Sequence, residues 1–408
     1  EGPYYQTRRF EIYREHVRKL LDSGHAYHCT CTPEEVERMR QAAMASGGKP
    51  KYDGTCRDKN LPPGRGAVVR FKAPLTGTTV LEDVVKGDIV FKNEELDDFV
   101  ISRGDGSPTY NFAVVVDDIT MGVNTIIRGD DHVMNTPKQI QLYRAFGAAL
   151  PLFGHVPMVL GKDRTRLSKR HGATSVTAYR DMGYLPEALI NYLVRLGWSH
   201  GDQEFFTRDE LVEVFNLENI GRAAGVFDVE KLMALNADHI KAAAPSRLVA
   251  PLAGFMREKG IDIEGDPRAE KVIGSLSARS KTLREMAEQA VFYFDEEIAY
   301  DPAAARKFLT PEALAPLASL TAALESLEDY SEQSVERIFH GLVEKTGLKL
   351  GKIAQPVRVA LSGRAASPGI YEIMAIIGRE RVLARLKKAI AFIESEKGEA
   401  APAPPRLV

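Results

Sequence analysis

From about residue 186 onward the apolar residues recur at helical spacing, whereas between 25 and 160 they gather into short runs bounded by Gly, Pro or Asp. A chain that changes period in this way cannot be one sheet or one bundle, because each period buries its apolar face against a different kind of neighbour. The pattern predicts α/β plus all-α. Residues 6–24 read as an amphipathic helix, with Phe10, Ile12, Tyr13, Val17, Leu20 and Leu21 near helical spacing and Gly24 as the stop. Residues 25–103 change character. They hold three cysteines, a short helix from about Pro33 and strand-like runs at Val68–Phe71, Thr78–Leu81 and 88–91, as a small α+β insertion would. The continuous apolar run at 112–116 predicts a buried parallel strand ending in Asp117 and Asp118, and 125–127 predicts a second, ending at the polar stretch 128–132. Asn135-Thr136-Pro137 predicts a helix start with Asn135 capping ahead of Pro. Polar residues at the carboxyl ends of parallel strands lie where α/β folds take their ligands. Farther on, 186–195 predicts one helix, and Leu383, Leu386, Ile390 and Ile393 line another. The Ala- and Pro-rich tail from Gly398 reads as disordered.

At 408 residues, 44% hydrophobic and 27% charged, the chain has the size and composition of a soluble protein of several domains. It has no run of about 18 apolar residues, so nothing reads as a membrane span, and its polar start lacks a secretory pattern. The start at Glu1, without Met, reads as lying inside an element. With 54 Lys and Arg against 56 Asp and Glu, the net charge of −2 gives no case for nucleic-acid binding, so any RNA contact must use local patches. Three clustered cysteines in a chain without a secretory signal point to metal or free thiols, not disulfides. The expected compartment is the cytoplasm.

The densest chemical signal lies at 161–174. Lys162, Arg164, Arg166, Lys169, Arg170 and His171 surround the single acid Asp163, between Gly161 and Gly172. Such a loop can close over a polyphosphate and neutralise charge that develops in phosphoryl or nucleotidyl transfer. A solvated basic loop has the same composition; the core Leu167-Ser168-Lys169-Arg170 separates the two. That core resembles the KMSKS loop of class I aminoacyl-tRNA synthetases, in the glutamyl form Lys-Leu-Ser-Lys-Arg. Arg166 stands where that form has Lys, which keeps the charge and changes its geometry.

Further blocks extend the resemblance over the chain, in order. They are Glu1-Gly-Pro-Tyr-Tyr-Gln-Thr7, Pro50-Lys-Tyr-Asp-Gly54, Gly106-Ser-Pro-Thr-Tyr-Asn-Phe112, Val115-Val-Asp-Asp118, Ile127-Arg-Gly-Asp-Asp-His132, Asn135-Thr-Pro137, Tyr184-Leu-Pro-Glu-Ala-Leu189 and Leu196-Gly-Trp-Ser199. The set is similar to the bacterial glutamyl-tRNA synthetases. The resemblance implies a partial class I Rossmann-type catalytic domain (1–24 with 104–175) and a connective, acceptor-binding insertion (25–103). After these it implies stem-contacting helices (176–240), a helical anticodon-binding region (241–397) and the tail (398–408). The family's first strand and its His-Ile-Gly-His motif would lie before Glu1.

The implied activity is glutamate–tRNA ligation: ATP activates L-glutamate to glutamyl-adenylate, with Mg2+, and the acyl group moves to the 3′ end of tRNA(Glu). The implied enzyme is monomeric and makes no use of a membrane. Tyr110 and Arg128 fall at glutamate-binding positions, where a guanidinium can clamp a carboxylate; alternatively Arg128 pairs with Asp130 or Asp131. Asp131 falls near the nucleotide. Arg166, Leu167, Ser168, Lys169 and Arg170 form the ATP-binding loop, with Lys169 the catalytic cation. Asp117 and Asp118 read as residues that orient their neighbours and not as ligands. Cys29, Cys31 and Cys56 suit a structural Zn2+, with Asp58 or Tyr52 as fourth ligand; three buried thiols without metal is the other reading. Arg279, Lys281 and Arg284 could face RNA, though basic helix surfaces are usually only solvated. Two alternatives stand beside ligation. One is a non-catalytic tRNA-binding fragment. The other is the truncated relative that glutamylates tRNA(Asp), against which the long helical half argues.

Overall fold

Helix α1 (Phe10–Asp22) turns Tyr13, His16 and Leu20 inward at helical spacing and ends at Gly24, whose φ of +72° suits a residue without Cβ. The computed structural model describes residues 2–64, 66–168, 170 and 175–399. The chain divides into two units, one of residues 1–168 with 193–227 and one of residues 169–192 with 228–408.

In the first unit α1 is followed by β1 (Ala26–Cys29), α2 (Pro33–Ala45), β2 (Val68–Phe71), β3 (Thr78–Leu81), β4 (Ile89–Lys92) and β5 (Val100–Ser102). Helix α2 starts where the sequence predicts, on a capping box in which Thr32 and Glu35 satisfy each other's backbone N–H, with Pro33 in the first turn. Strands β1, β2 and β5 form an antiparallel sheet in that order, with Ala26 opposite Phe71 and Cys29 opposite Val68. Strands β3 and β4 pair antiparallel by themselves, the latter one residue later than expected.

The run at 112–116 is not a strand. It lies in helix α3 (Tyr110–Met121), which starts after Pro108 and Thr109 and ends on Gly122 at φ +69°. The buried residues Phe112, Ala113, Val115 and Val116 repeat as i, i+1, i+3 and i+4, the pattern of one helix face, and the segment extends over a helical length of twelve residues. Asp117 and Asp118 therefore sit on a helix and not at a strand end. Asp117 accepts from Arg9 Nε (2.7 Å) and Tyr13, and Asp118 from Tyr143 (3.0 Å).

The expected second strand is β6 (Thr125–Gly129), which pairs in parallel with β7 (Leu152–Val156) and sets Arg128 beside His155. A 3-10 turn over Asp130–Asn135 runs directly into α4 (Thr136–Ala145). The helix starts as predicted, but Asn135 does not cap it: its backbone is already helical and its side chain approaches His132. Asp83, just beyond β3, reaches the outer side of β7 through a single parallel bridge to Phe153. Tyr13, Leu20, Phe71, Ile101, Phe112 and Leu142 fill the core under these elements, each worth about 1.5–3 kcal/mol when removed from water.

Among the described residues the second unit is wholly helical. Its helices include Val176–Asp181, Val229–Ala242, Pro245–Arg257, Leu283–Phe294 and Leu350–Ser362, around a core that contains Ile240, Met256, Met286, Phe339 and Val357. The predicted helix over 186–195 is present as Pro186–Gly197. In Arg379–Glu399, Leu386 and Ile393 are buried while Leu383 and Ile390 are half-buried. This helix continues through Gly398, where a disordered tail is expected to begin, and residues 400–408 lie outside the described residues.

Candidate active site

Arg128 leaves the carboxyl end of β6 beside the first turn of α4, and three of its N–H groups are already committed. Its Nε donates to His155 Nε2 (3.1 Å), and its Nη2 donates to Thr136 Oγ1 (2.8 Å) and Gln139 Oε1 (2.6 Å). Gln139 in turn donates to Asn111 (3.0 Å). Each of these partners is uncharged. Burial pulls the guanidinium below its usual range, and Tyr110 and Asp118 act against that pull.

The pairing of Arg128 with Asp130 or Asp131 does not occur. Asp130 takes Lys86 (3.0 Å) and Asp131 takes Arg166 (3.8 Å), and among the described residues no carboxylate lies within ion-pair distance of Arg128. A half-buried cation held by neutral acceptors leaves a strong preference for an incoming anion. Tyr110, the first residue of α3, is brought to the same place: its hydroxyl lies 3.3 Å from His132 Nδ1 and acts on the Arg128 guanidinium.

Behind Arg128 lies a buried chain that the sequence reading misses. His155 Nδ1 is 2.5 Å from Asp83 Oδ2, and neither side chain has any exposure. Asp83 Oδ1 accepts the backbone N–H groups of Val85, Lys86 and His155. Burial raises the Asp83 carboxyl, but these hydrogen bonds outweigh it and hold the group below its usual range; burial likewise lowers His155. The pair is thus a carboxylate with a neutral imidazole. Nothing in the spacing links positions 83 and 155. The one available signal is a histidine inside an otherwise apolar segment.

Of the predicted nucleotide residues, Asp131 lies in the 3-10 turn after β6, facing Arg166. The basic loop folds back at its start. Leu167 N donates to Val159 O (3.0 Å), Gly161 N donates to Thr165 O (2.8 Å), and Asp163 accepts from Thr165. Arg166 is largely exposed, whereas Leu167 and Ser168 are half-buried. Lys169 and residues 171–174 lie outside the described residues, and Arg170 is exposed in the second unit.

The thiols of Cys29, Cys31 and Cys56 lie within 4.8 Å of one another, with Cys31 and Cys56 3.4 Å apart. Tetrahedral zinc with Zn–S bonds of about 2.3 Å spaces its sulfurs about 3.8 Å apart, so the donor set fits. Tyr52 Oη is 3.5 Å from Cys29 and 3.7 Å from Cys31, and it accepts from the Cys56 N–H. Asp58 is not brought to the thiols. Its carboxylate is 83% exposed and paired with Lys72, because the turn after Cys56 directs it outward. Arg70 donates to Cys29 Sγ (3.3 Å) and stacks on Tyr52, so a cation already faces this sulfur.

In the second unit Arg284 is occupied by Asp181 O and Glu258. Arg279 lines a cavity of about 640 Å³ with Gln289, Asp301, Arg364 and Ser367. No described helix is long and apolar enough to cross a membrane.

Residues 1–234 match the family model for tRNA synthetases class I (E and Q), catalytic domain, and residues 238–390 match an anticodon binding domain. The chain is 59% identical over 394 residues to a glutamate–tRNA ligase of Desulfosudis oleivorans, covering 97% of this chain and 84% of the relative. It is 56% identical over 398 residues to that of Syntrophobacter fumaroxidans, covering 98% and 85%. A crystal structure of a glutamate tRNA ligase from Elizabethkingia meningosepticum in complex with its amino acid matches with a TM-score of 0.81 at 29% identity, over 96% of this chain and 85% of that one.

Proposed function

The chain belongs to the glutamate–tRNA ligase family of class I aminoacyl-tRNA synthetases, and from that premise we propose that Arg128 and Tyr110 hold the glutamate whose activation the family catalyses. The observation that carries this reading is the Arg128 guanidinium, half-buried among neutral acceptors and, among the described residues, with no carboxylate at ion-pair distance. A glutamate carboxylate supplies the missing charge, and the Tyr110 hydroxyl adds a directed bond without adding charge. The anticodon-binding match over 238–390 speaks against the truncated tRNA(Asp)-modifying relative, which lacks such a domain.

The α-carboxylate of glutamate attacks the α-phosphorus of ATP, pyrophosphate leaves, and the adenylate then passes its acyl group to a ribose hydroxyl of the tRNA end with release of AMP. No protein nucleophile is needed, since the attacking carboxylate is already ionised. Negative charge gathers on phosphate oxygens in the transition state, and cations that reach them only then accelerate the step. Lys169 is the catalytic cation in this reading. Arg166, Leu167, Ser168 and Arg170 complete the loop, Asp131 contacts the ribose or base of the nucleotide, and Mg2+ would accompany the phosphates. Cys29, Cys31 and Cys56 with Tyr52 would hold a structural zinc that closes the small insertion; the observed separations support Tyr52 over Asp58 as the fourth group.

The test is glutamate-dependent ATP–pyrophosphate exchange, which reads adenylate formation, alongside tRNA binding, wild type against Lys169→Ala. Adenylate formation should fall by at least about a hundredfold while tRNA affinity changes by less than about threefold. Equal loss of both would reject the catalytic role of Lys169.

A further inference from the structure

Arg128 can only donate hydrogen bonds, so the atom facing its Nε must offer a lone pair. That atom is His155 Nε2, at 3.1 Å. The imidazole proton must then sit on Nδ1, 2.5 Å from Asp83 Oδ2. Asp83 has no freedom to present anything else there, because its Oδ1 is taken by the N–H groups of Val85 (2.9 Å), Lys86 (2.8 Å) and His155 (3.2 Å). A fixed turn thus dictates one carboxylate orientation, the carboxylate dictates one tautomer, and the tautomer dictates where the guanidinium points.

We infer that Asp83 and His155 are positioning residues for substrate binding, acting through Arg128. The inference rests on the reading that Arg128 receives a glutamate carboxylate. His155, Thr136 and Gln139 hold three of the five N–H groups of Arg128, and the two of Nη1 are the ones that would meet the substrate beside Tyr110, which also acts on the guanidinium. Such preorganisation removes an ordering cost that binding would otherwise carry. Protonation of His155 would set donor against donor and put a second cation beside Arg128. The charged or titratable groups around the ring are Asp83, which favours that proton, and Arg128 and His132, which oppose it.

Asp83→Asn tests this directly. The three backbone donors keep the amide oxygen at the Oδ1 place, so the NH2 group falls opposite His155 Nδ1 and drives the ring proton to Nε2, against Arg128. Glutamate KM in tRNA charging should rise about tenfold or more, with ATP KM moving less than about twofold. Adding His155→Gln to Asp83→Asn should recover most of the loss, because the Gln carbonyl again accepts from Arg128 Nε; a merely structural role predicts no rescue. In an Asp83 background, His155→Leu should raise glutamate KM several-fold more than His155→Gln, and this pair decides the matter if Asp83→Asn does not fold. Arg128→Ala measured in parallel separates the two levels. If it loses glutamate affinity while Asp83→Asn does not, or if the Leu and Gln variants are equal, the relay is overturned and the clamp stands. If Arg128→Ala binds glutamate as the wild type does, clamp and relay fall together.

Discussion

A guanidinium taken partly out of water is costly unless something anionic meets it, and among the described residues the direct hydrogen-bond acceptors of Arg128 are a hydroxyl, an amide and an imidazole. Lys would keep the charge but could not span His155, Thr136 and Gln139 at once. Arg128→Lys is therefore expected to lower kcat/KM for glutamate by roughly ten- to a hundredfold, through KM, as glutamate titrations of charging would read. The neighbouring imidazole has a consequence for stability. His155 is held below its ordinary value near 6.5 in the folded chain, with burial the leading cause. As pH falls below that value the unfolded chain takes up a proton that the folded chain refuses, so stability falls with pH there and has no His155 dependence above it. Urea unfolding at about pH 7.5 and pH 5.5 should show this loss, and His155→Gln should reduce it. A larger loss in the variant would contradict the neutral assignment.

Helix α3 is the element on which the site depends most, since it carries Tyr110 at one end and packs Phe112, Val115 and Val116 at 0% exposure. Phe112→Ala should lower unfolding free energy by about 3–5 kcal/mol, the usual range for a large aromatic deleted from a closed core. At the other end Gly122 takes φ +69° with no atom near the place of a Cβ, so Gly122→Ala should cost about 1 kcal/mol from backbone strain alone. Urea titration reads both.

Helix α3 also shows where sequence patterning gives out. Five apolar residues in a row fit a buried strand and one face of a buried helix equally well, and only the twelve-residue length and the Gly122 stop separate them. Strand β6 and the helix starts near Pro33 and Pro137 were legible because Pro and turn residues act locally, whereas the cap expected of Asn135 was not realised. The motifs point to Arg128 and Tyr110, and the structure brings these two side chains to one place. Asp83 and His155, 72 residues apart, were not legible, because tertiary pairing across the two segments leaves no local mark.

At the scale of the whole molecule, a near-neutral chain can offer RNA only local patches of charge, and its matches to a catalytic domain over 1–234 and an anticodon-binding domain over 238–390 divide it into two regions. The insertion between β1 and β5 is thin: its own buried cluster is Tyr27, Cys29, Val36, Tyr52 and Cys56. A bound ion would stabilise it where a larger core does not. Protein prepared without chelator should carry about one zinc per chain by elemental analysis, and Cys56→Ser should lose it along with thermal stability. Metal-free protein of full stability would remove the proposal.

The claim on which the rest depends is that Arg128 receives the amino-acid substrate, and the glutamate dependence of tRNA charging by the Arg128→Ala enzyme tests it most directly. Glutamate KM should rise by about a hundredfold, the effect of losing a half-buried charge-assisted clamp, while ATP KM stays within about twofold. A glutamate KM equal to that of the wild type would contradict the assignment of this site.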